Sequence, residues 1–322
     1  MTELRQRHYK LGQLPWSRDS LKKAFWQNFI EAYELIKEHP GFAAYEMMED
    51  IQRSLEIFFD HAEDLLSAIA EFKDESFQGG FFLRGNGPRK DQLERRIRKA
   101  LFGATTSALA LVEPGRQAAR VYDIPEYQSR VDAAFANNEQ HRFIQGFRNA
   151  INHEHFLSPS WQVTYRPGEE KTQILLKKEV VARWDGWDAL AMAFISKHSD
   201  GIDIEKLILD YRNNVEDFHR WLRESMRSRA GPLIDEYLCY KKILDAEGAR
   251  PKWRILLNEA INRGIDPYQR LDEYLTPTEL EKIQALPKGS KEQVDLIISI
   301  ADEYGACDDE IRALAYKLFN VK

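Results

Sequence analysis

Apolar residues recur at threes and fours along most of this chain. Over 17–39, Leu21, Phe25, Phe29, Ala32, Tyr33 and Ile36 share one face behind a polar start, which predicts a single amphipathic helix stopped by His39-Pro40-Gly41. A second long helix is predicted over about 45–73, where Met48, Ile51, Leu55, Phe58, Ala62, Leu65, Ile69 and Phe72 form a broad apolar face. The glycine-rich segment 79–88 reads as a loop before a third helix over about 89–112. Pro114-Gly115 then separates that helix from a short element holding Ala118, Val121 and Tyr122. Pro125 suits the first position of a further helix, because its missing N–H has no intrahelical partner there. That helix runs past Tyr127, Val131, Phe135, Phe143, Phe147 and Ile151, and Asn137-Asn138 marks a kink or a join within it.

The period then changes. The runs 161–165 and 172–181, separated by Arg166-Pro167-Gly168-Glu169-Glu170, predict a β-hairpin near 160–182. Helical spacing resumes over 188–195 and again over 204–227. Arg229-Ala230-Gly231-Pro232 is the expected boundary after it, since Gly-Pro breaks helices. Beyond it, Thr276-Pro277-Thr278-Glu279 has capping-box spacing, and Ser290 to Gln293 repeats that spacing. The expected organisation is mainly α. It comprises an N-terminal helical extension (1–44), a helical domain carrying the hairpin (45–229) and a C-terminal helical module (230–322).

Composition narrows the function classes. With 322 residues, 43% of them hydrophobic, the chain is long enough for a substantial core. The charged fraction is 30%, both signs are mixed, and the formal net charge is -6, so any contact with nucleic acid must be local. Two cysteines, Cys239 and Cys307, have no zinc or redox spacing; both are expected to be small buried apolar residues in a reducing compartment. The first ten residues carry charge without an apolar run behind them, and no stretch approaches the roughly 20 apolar residues of a membrane span. The expectation is a cytoplasmic protein with no membrane partner.

The chemistry concentrates in Arg148-Asn149-Ala150-Ile151-Asn152-His153, at the end of a predicted helix and just before the hairpin. At about 100° per residue, His141, Gln145, Arg148 and Asn152 fall along one face, while Phe143, Phe147 and Ile151 fall on others. Cleavage of RNA by its own 2′-hydroxyl needs a base, an acid for the leaving oxygen and a cation for the charge that builds on phosphorus-bound oxygens. Histidine titrates near neutrality and serves as base or acid. Arginine stays charged, and its planar fork matches phosphate oxygens. Asn149 and Asn152 are candidates to orient the phosphate or the imidazole. The spacing also fits a plain helix C-terminus, where both Arg148 and His153 favour the exposed carbonyls and the dipole.

A helical domain, a motif of the form Arg-Asn-x-x-x-His closing a long helix, a hairpin directly after it and a final helix ending in alternating aromatic and charged residues together resemble the HEPN superfamily, the higher eukaryote and prokaryote nucleotide-binding domains. The resemblance spans about 46–227. It implies a HEPN-like helical bundle with an inserted hairpin, in which Arg148 and His153 form the signature pair and Asn149 is the polar residue following the arginine. It implies further a metal-independent endoribonuclease, of the kind found among toxins and antiviral-defence effectors, working as a homodimer whose two motifs share a cleft. Gln145, Asn152 and His141 are the expected substrate-binding residues. Other members of the superfamily bind or scaffold without cutting, so a noncatalytic RNA- or nucleotide-binding role is the alternative.

Other constellations carry less. His153-Glu154-His155 lacks a third ligand and the His-Glu-x-x-His pattern, so neither a metal nor a cofactor is expected. Gly85-Asn86-Gly87 lacks the preceding apolar strand and the lysine-serine ending of a phosphate loop. The segment 84–99 holds Arg84, Arg89, Lys90, Arg95, Arg96, Arg98 and Lys99 against Asp91 and Glu94; it suits either an RNA backbone or a solvated helix face. In the C-terminal module, Trp253, Tyr268, Tyr274, Tyr304 and Tyr316 are expected mostly in the core, with a protein-docking surface as the further option.

Overall fold

The computed structural model describes residues 11, 13–78, 80–153, 159–166 and 169–321, with side chains described at all of these except 152–153, 165–166 and 169–170. The chain is mainly helical with a three-stranded antiparallel sheet. It divides into two units, one being Tyr45–Gly231 and the other joining the described residues before Tyr45 to those after Gly231. Residues before Tyr45 thus group with the C-terminal segment and do not stand alone. Among the described residues, no helix is long and apolar enough to cross a membrane.

The helix expected over 17–39 is two helices, α1 (Arg18–Gln27) and α2 (Phe29–Ile36). Asn28 between them is extended, and its side chain accepts from the Glu31 N–H, so a residue with a strong capping preference divides an otherwise continuous apolar stripe. α3 (Pro40–Ser76) begins with proline in its first turn. After a single 3-10 turn at Arg84–Asn86 comes α4 (Gly87–Ala110). Its buried residues include Ala100, Ala104, Ser107 and Ala108, and a Cβ on Gly103 would stand 2.7 Å from His61 Nδ1 of α3. Small residues on α4 therefore let the two helices approach closely. Arg89 pairs with Glu71 and Glu75, and Arg96 with Glu71, across the same interface.

Pro114 falls within the first turn of α5 (Val112–Val121), so Pro114-Gly115 starts a helix without breaking one. Pro125 is not a first helical residue, because Glu126 after it takes a left-handed φ of 63° and α6 (Tyr127–Val131) starts beyond. A π turn at Asp132–Ala136 ends this segment, and Asn137-Asn138 is a join. The Asn138 side chain accepts from the N–H groups of Gln140 and His141, at 2.9 and 3.1 Å, and so caps α7 (Glu139–His153).

The hairpin consists of β1 (Ser160–Arg166) and β2 (Glu169–Leu176), in register from Ser160 opposite Leu175 to Arg166 opposite Glu169. The second strand is shorter than expected: Lys178–Val181 is a helical turn, α8, and Val181 turns into the core there. β3 (Ile202–Asp203) extends the sheet, with Leu176 opposite Ile202. Between them lies α9 (Ala189–Lys197).

α10 (Ile204–Asn262) passes through Pro232 and Pro251, so the expected helix break at Gly231-Pro232 does not occur. Leu222, Met226, Ala230 and Ile234 are all buried at every fourth position across the pair. That unbroken stripe outweighs the about 3 kcal/mol that an interior proline costs a helix.

The core of the Tyr45–Gly231 unit gathers α3, α4, α7, α9, β2 and the start of α10 around Phe58, Phe72, Phe143, Phe147 and the fully buried Tyr211. The other unit places Trp26, Tyr33 and Trp16 against the later part of α10, through hydrogen bonds to Glu247, Asp245 and the Tyr240 hydroxyl. After a 3-10 turn at Pro267–Arg270, its further helices are α11 (Leu271–Tyr274), α12 (Pro277–Gln284), α13 (Lys291–Ala301) and α14 (Asp309–Leu318), closed over Ile283, Val294, Ile297, Ile311 and Phe319. The capping box at Thr276 is complete. At Ser290 only the serine half forms, because the Gln293 side chain turns inward to the Ile283 carbonyl and the Tyr268 hydroxyl. Trp253, Tyr268 and Tyr316 join the core, whereas Tyr274 and Tyr304 are exposed. Neither cysteine is a buried apolar residue: Cys239 is exposed and Cys307 half-buried.

Candidate functional site

α7 carries the motif and is enclosed along almost its whole length: every residue from Asn138 to Ile151 is buried or half-buried. Phe143, Ile144, Phe147 and Ala150 make up its inner face. Phe143 lies in parallel contact with Trp187 on one side, at 5.1 Å between ring centroids, and with Phe194 of α9 at 5.1 Å. Trp187 donates its indole N–H to the Val181 carbonyl, which fixes the ring plane. Gly146 is required at this contact, because a Cβ there would lie 2.7 Å from two Trp187 ring atoms. Trp184 packs edge-on against Trp187 at 4.8 Å. The pair of tryptophans thus seats the middle of α7, one turn before Arg148.

An ion pair locks the same segment. Arg142 donates through Nε to Asp188 at 2.6 Å and through a second nitrogen to the same carboxylate, while its third donor reaches the Gln145 amide oxygen at 2.9 Å. Asp188 also caps α9 by accepting from the Ala191 N–H. Burial pushes the Asp188 carboxyl up, but the Ala191 N–H and Arg142 outweigh it and hold the group below the usual carboxylate range. Sequence reasoning missed Arg142, Asp188 and the Trp184-Trp187 pair as the supports of this helix. Asp188 preceding the apolar run of α9 was the available signal.

The expected site residues separate into two groups. His141 sits in the interior, where its Nδ1 is 2.9 Å from the Tyr211 hydroxyl and the two rings stack. Burial first, then the neighbouring Arg142 charge, pushes its pKa down to about 4, so it is neutral near pH 7. Gln145 holds Arg142. These two residues support the helix from within and beside it. Arg148 and Asn149 lie further along and are half-buried. Arg148 differs from Arg142: its Nε is buried and has no hydrogen-bond partner among the described residues. The backbone of Asn152 and His153 completes the last turn of α7, and the side chains of both lie outside the described residues. His155 lies outside them too. Among the described residues, no group of three or more His, Cys, Asp or Glu is placed to hold a metal ion.

The geometry therefore puts a guanidinium with spare donor capacity one turn before the end of a rigidly seated helix, with a histidine as the last helical residue. A helix C-terminus repels anions, so a phosphate near it needs a side-chain cation, and arginine supplies one. No family model, curated protein or solved structure matches this chain.

Proposed function

We propose that the chain is an endoribonuclease of HEPN type, cleaving RNA by attack of the 2′-hydroxyl on the adjacent phosphodiester. His153 acts as general base or general acid, Arg148 neutralises the charge that builds in the phosphorane-like transition state, and Asn149 positions the phosphate. The reaction needs no metal, because the substrate provides its own nucleophile, and it leaves a 2′,3′-cyclic phosphate and a 5′-hydroxyl. One motif provides one histidine of this kind, so the proposal includes a homodimer in which two motifs face one cleft and divide the acid and base roles.

The observation that carries this reading is the Nε of Arg148, which has no hydrogen-bond partner among the described residues, whereas Arg142 on the same helix is fully engaged. A buried donor without a partner costs about 1–3 kcal/mol. The guanidinium of the half-buried Arg148 has the donor geometry that a phosphate takes. The second reading is a module that holds a nucleotide through the same half-buried Arg148 and Asn149 without cutting it.

Incubation of the purified chain with mixed RNA in EDTA separates the two. Cleavage that ends in 2′,3′-cyclic phosphate and falls about 10²–10⁴-fold in His153→Ala and in Arg148→Ala supports the enzyme. Absence of cleavage by the wild-type dimer, or cleavage that both variants retain, sinks it. Growth arrest on expression of the wild-type chain, relieved by either variant, is the expected cellular outcome.

A further inference from the structure

We propose that the outer face of α4 between Arg95 and Phe102, with Trp161 of β1 and Phe82 of the loop preceding α4, is a docking surface for single-stranded RNA. The choice of RNA over DNA rests on the reading of α7 as an RNA-cleaving site; the preference for a single strand rests on this surface alone. Arg95, Arg98, Lys99 and Phe102 stand at i, i+3, i+4 and i+7, and together they line an open hollow of about 420 Å³. Of the other cations of α4, Arg89 is occupied by Glu71 and Glu75, Arg96 by Glu71, and Lys90 by Glu94 at 4.0 Å. Among the described residues, Arg98 and Lys99 form no ion pair, and Arg95 donates only to the Asp91 carbonyl. Three uncompensated charges therefore follow one helical stripe on a chain whose net charge is -6.

Beside this stripe stands an aromatic stack. The Phe82 and Trp161 rings lie 4.6 Å apart at 28°, and they are 40% and 37% exposed. Trp161 donates its indole N–H to Glu94 at 3.0 Å, which fixes its plane and engages that carboxylate. Lys90 lies 5.9 Å from the Trp161 ring centroid. Arg98 joins the two halves, since it also lines the small cleft that holds Trp161, Phe72 and Pro159. Single exposed aromatics are ordinary on protein surfaces, but two stacked on each other next to a row of cations without an ion pair among the described residues form a specific pattern. Unpaired bases extend an aromatic stack through their π-faces while cations follow the phosphates. A duplex offers no free base face, and an acidic protein segment uses the cations without the rings.

The test is a fluorescence-anisotropy titration of the full chain against a labelled 2′-O-methyl 20-mer, which cannot be cleaved, as a single strand and as a duplex. We expect tighter binding of the single strand and a loss of tenfold or more in the combined variant Arg95→Ala, Arg98→Ala, Lys99→Ala. The slope of log affinity against log salt should fall by about 2, because each phosphate that no longer meets a cation removes about 0.7. Trp161→Ala should weaken binding by roughly tenfold, and Trp161→Phe should retain it. Lys99→Glu alone, at an exposed position, serves if the combined variant loses its thermal transition. Equal binding by the combined variant and wild type, or duplex bound as tightly as single strand, overturns the proposal. So does tighter capture of poly-L-glutamate than of the oligonucleotide through the same residues. Because the probe is uncleavable, surface-dependent binding without nuclease activity refutes only the reading of α7. Cleavage of RNA that is indifferent to the α4 variants refutes only the surface.

Discussion

Burial decides what each histidine of the central helices can do. His141 and His219 both have pKa values pushed down to about 4, in each case by burial first and then by a neighbouring arginine, Arg142 or Arg223. A folded pKa below the unfolded value of about 6.5 means that the unfolded chain binds protons more readily. The stability these groups contribute is therefore complete above pH 6.5 and is lost as pH falls from 6.5 toward 4, by up to about 3 kcal/mol each. Urea titrations at pH 7 and pH 4.5 should show this loss. His219 Nδ1 is buried without a partner among the described residues, so His219→Leu should flatten the acid limb at no loss of stability at pH 7. An unchanged acid limb in that variant would assign the loss to other groups. Arg148 makes the opposite case. If its guanidinium waits for a ligand, Arg148→Leu should melt at or above the wild-type temperature; a drop of several degrees would identify it as a structural tie.

At the level of elements, the motif helix owes its position to contacts no local pattern specifies. Gly146 reads in sequence as a minor weakness in an amphipathic helix. In the fold it is the point where Trp187 crosses α7, so Gly146→Ala should destabilise by about 1–3 kcal/mol through overpacking, measured by thermal unfolding, and should reduce cleavage alongside. A neutral result would mean that the tryptophans have room to shift. The start of α12 shows the reverse, a device fully visible from four residues. Thr276→Ala should cost about 1 kcal/mol, since its side chain accepts from the Glu279 N–H. Ser290 shows why the same spacing does not guarantee the same device: Gln293 finds better partners inside the module than at the Ser290 backbone. Likewise, Val180 and Val181 suit a strand by propensity, but α8 turns Val181 into the core instead.

For the whole molecule, the proposed chemistry requires two copies. Sedimentation equilibrium should give twice the 37.6 kDa chain mass at neutral pH, and mixed dimers of wild type with His153→Ala should cut less than wild type in proportion to the mixed fraction. A monomer that cleaves RNA would refute the shared cleft. The helical character, the hairpin, the long second helix and the cap at Thr276 were legible in the chain, because period, turn residues and capping are local properties of consecutive residues. The same is true of the place of Arg148 and His153 at the end of one helix. Locality also explains the errors: the Gly231-Pro232 pair looks like a break until the apolar stripe on both sides is seen to continue in α10, and the residues before Tyr45 look independent until Trp26 and Tyr33 meet Glu247 and Asp245. Only the tertiary structure assigned His141 to Tyr211, gave Arg142 to Asp188 and left Arg148 Nε buried without a partner among the described residues, and only it set Arg98 beside the Trp161 stack. Charge state, spare donor capacity and shared surface depend on neighbours distant in sequence, which periodicity along the chain does not encode.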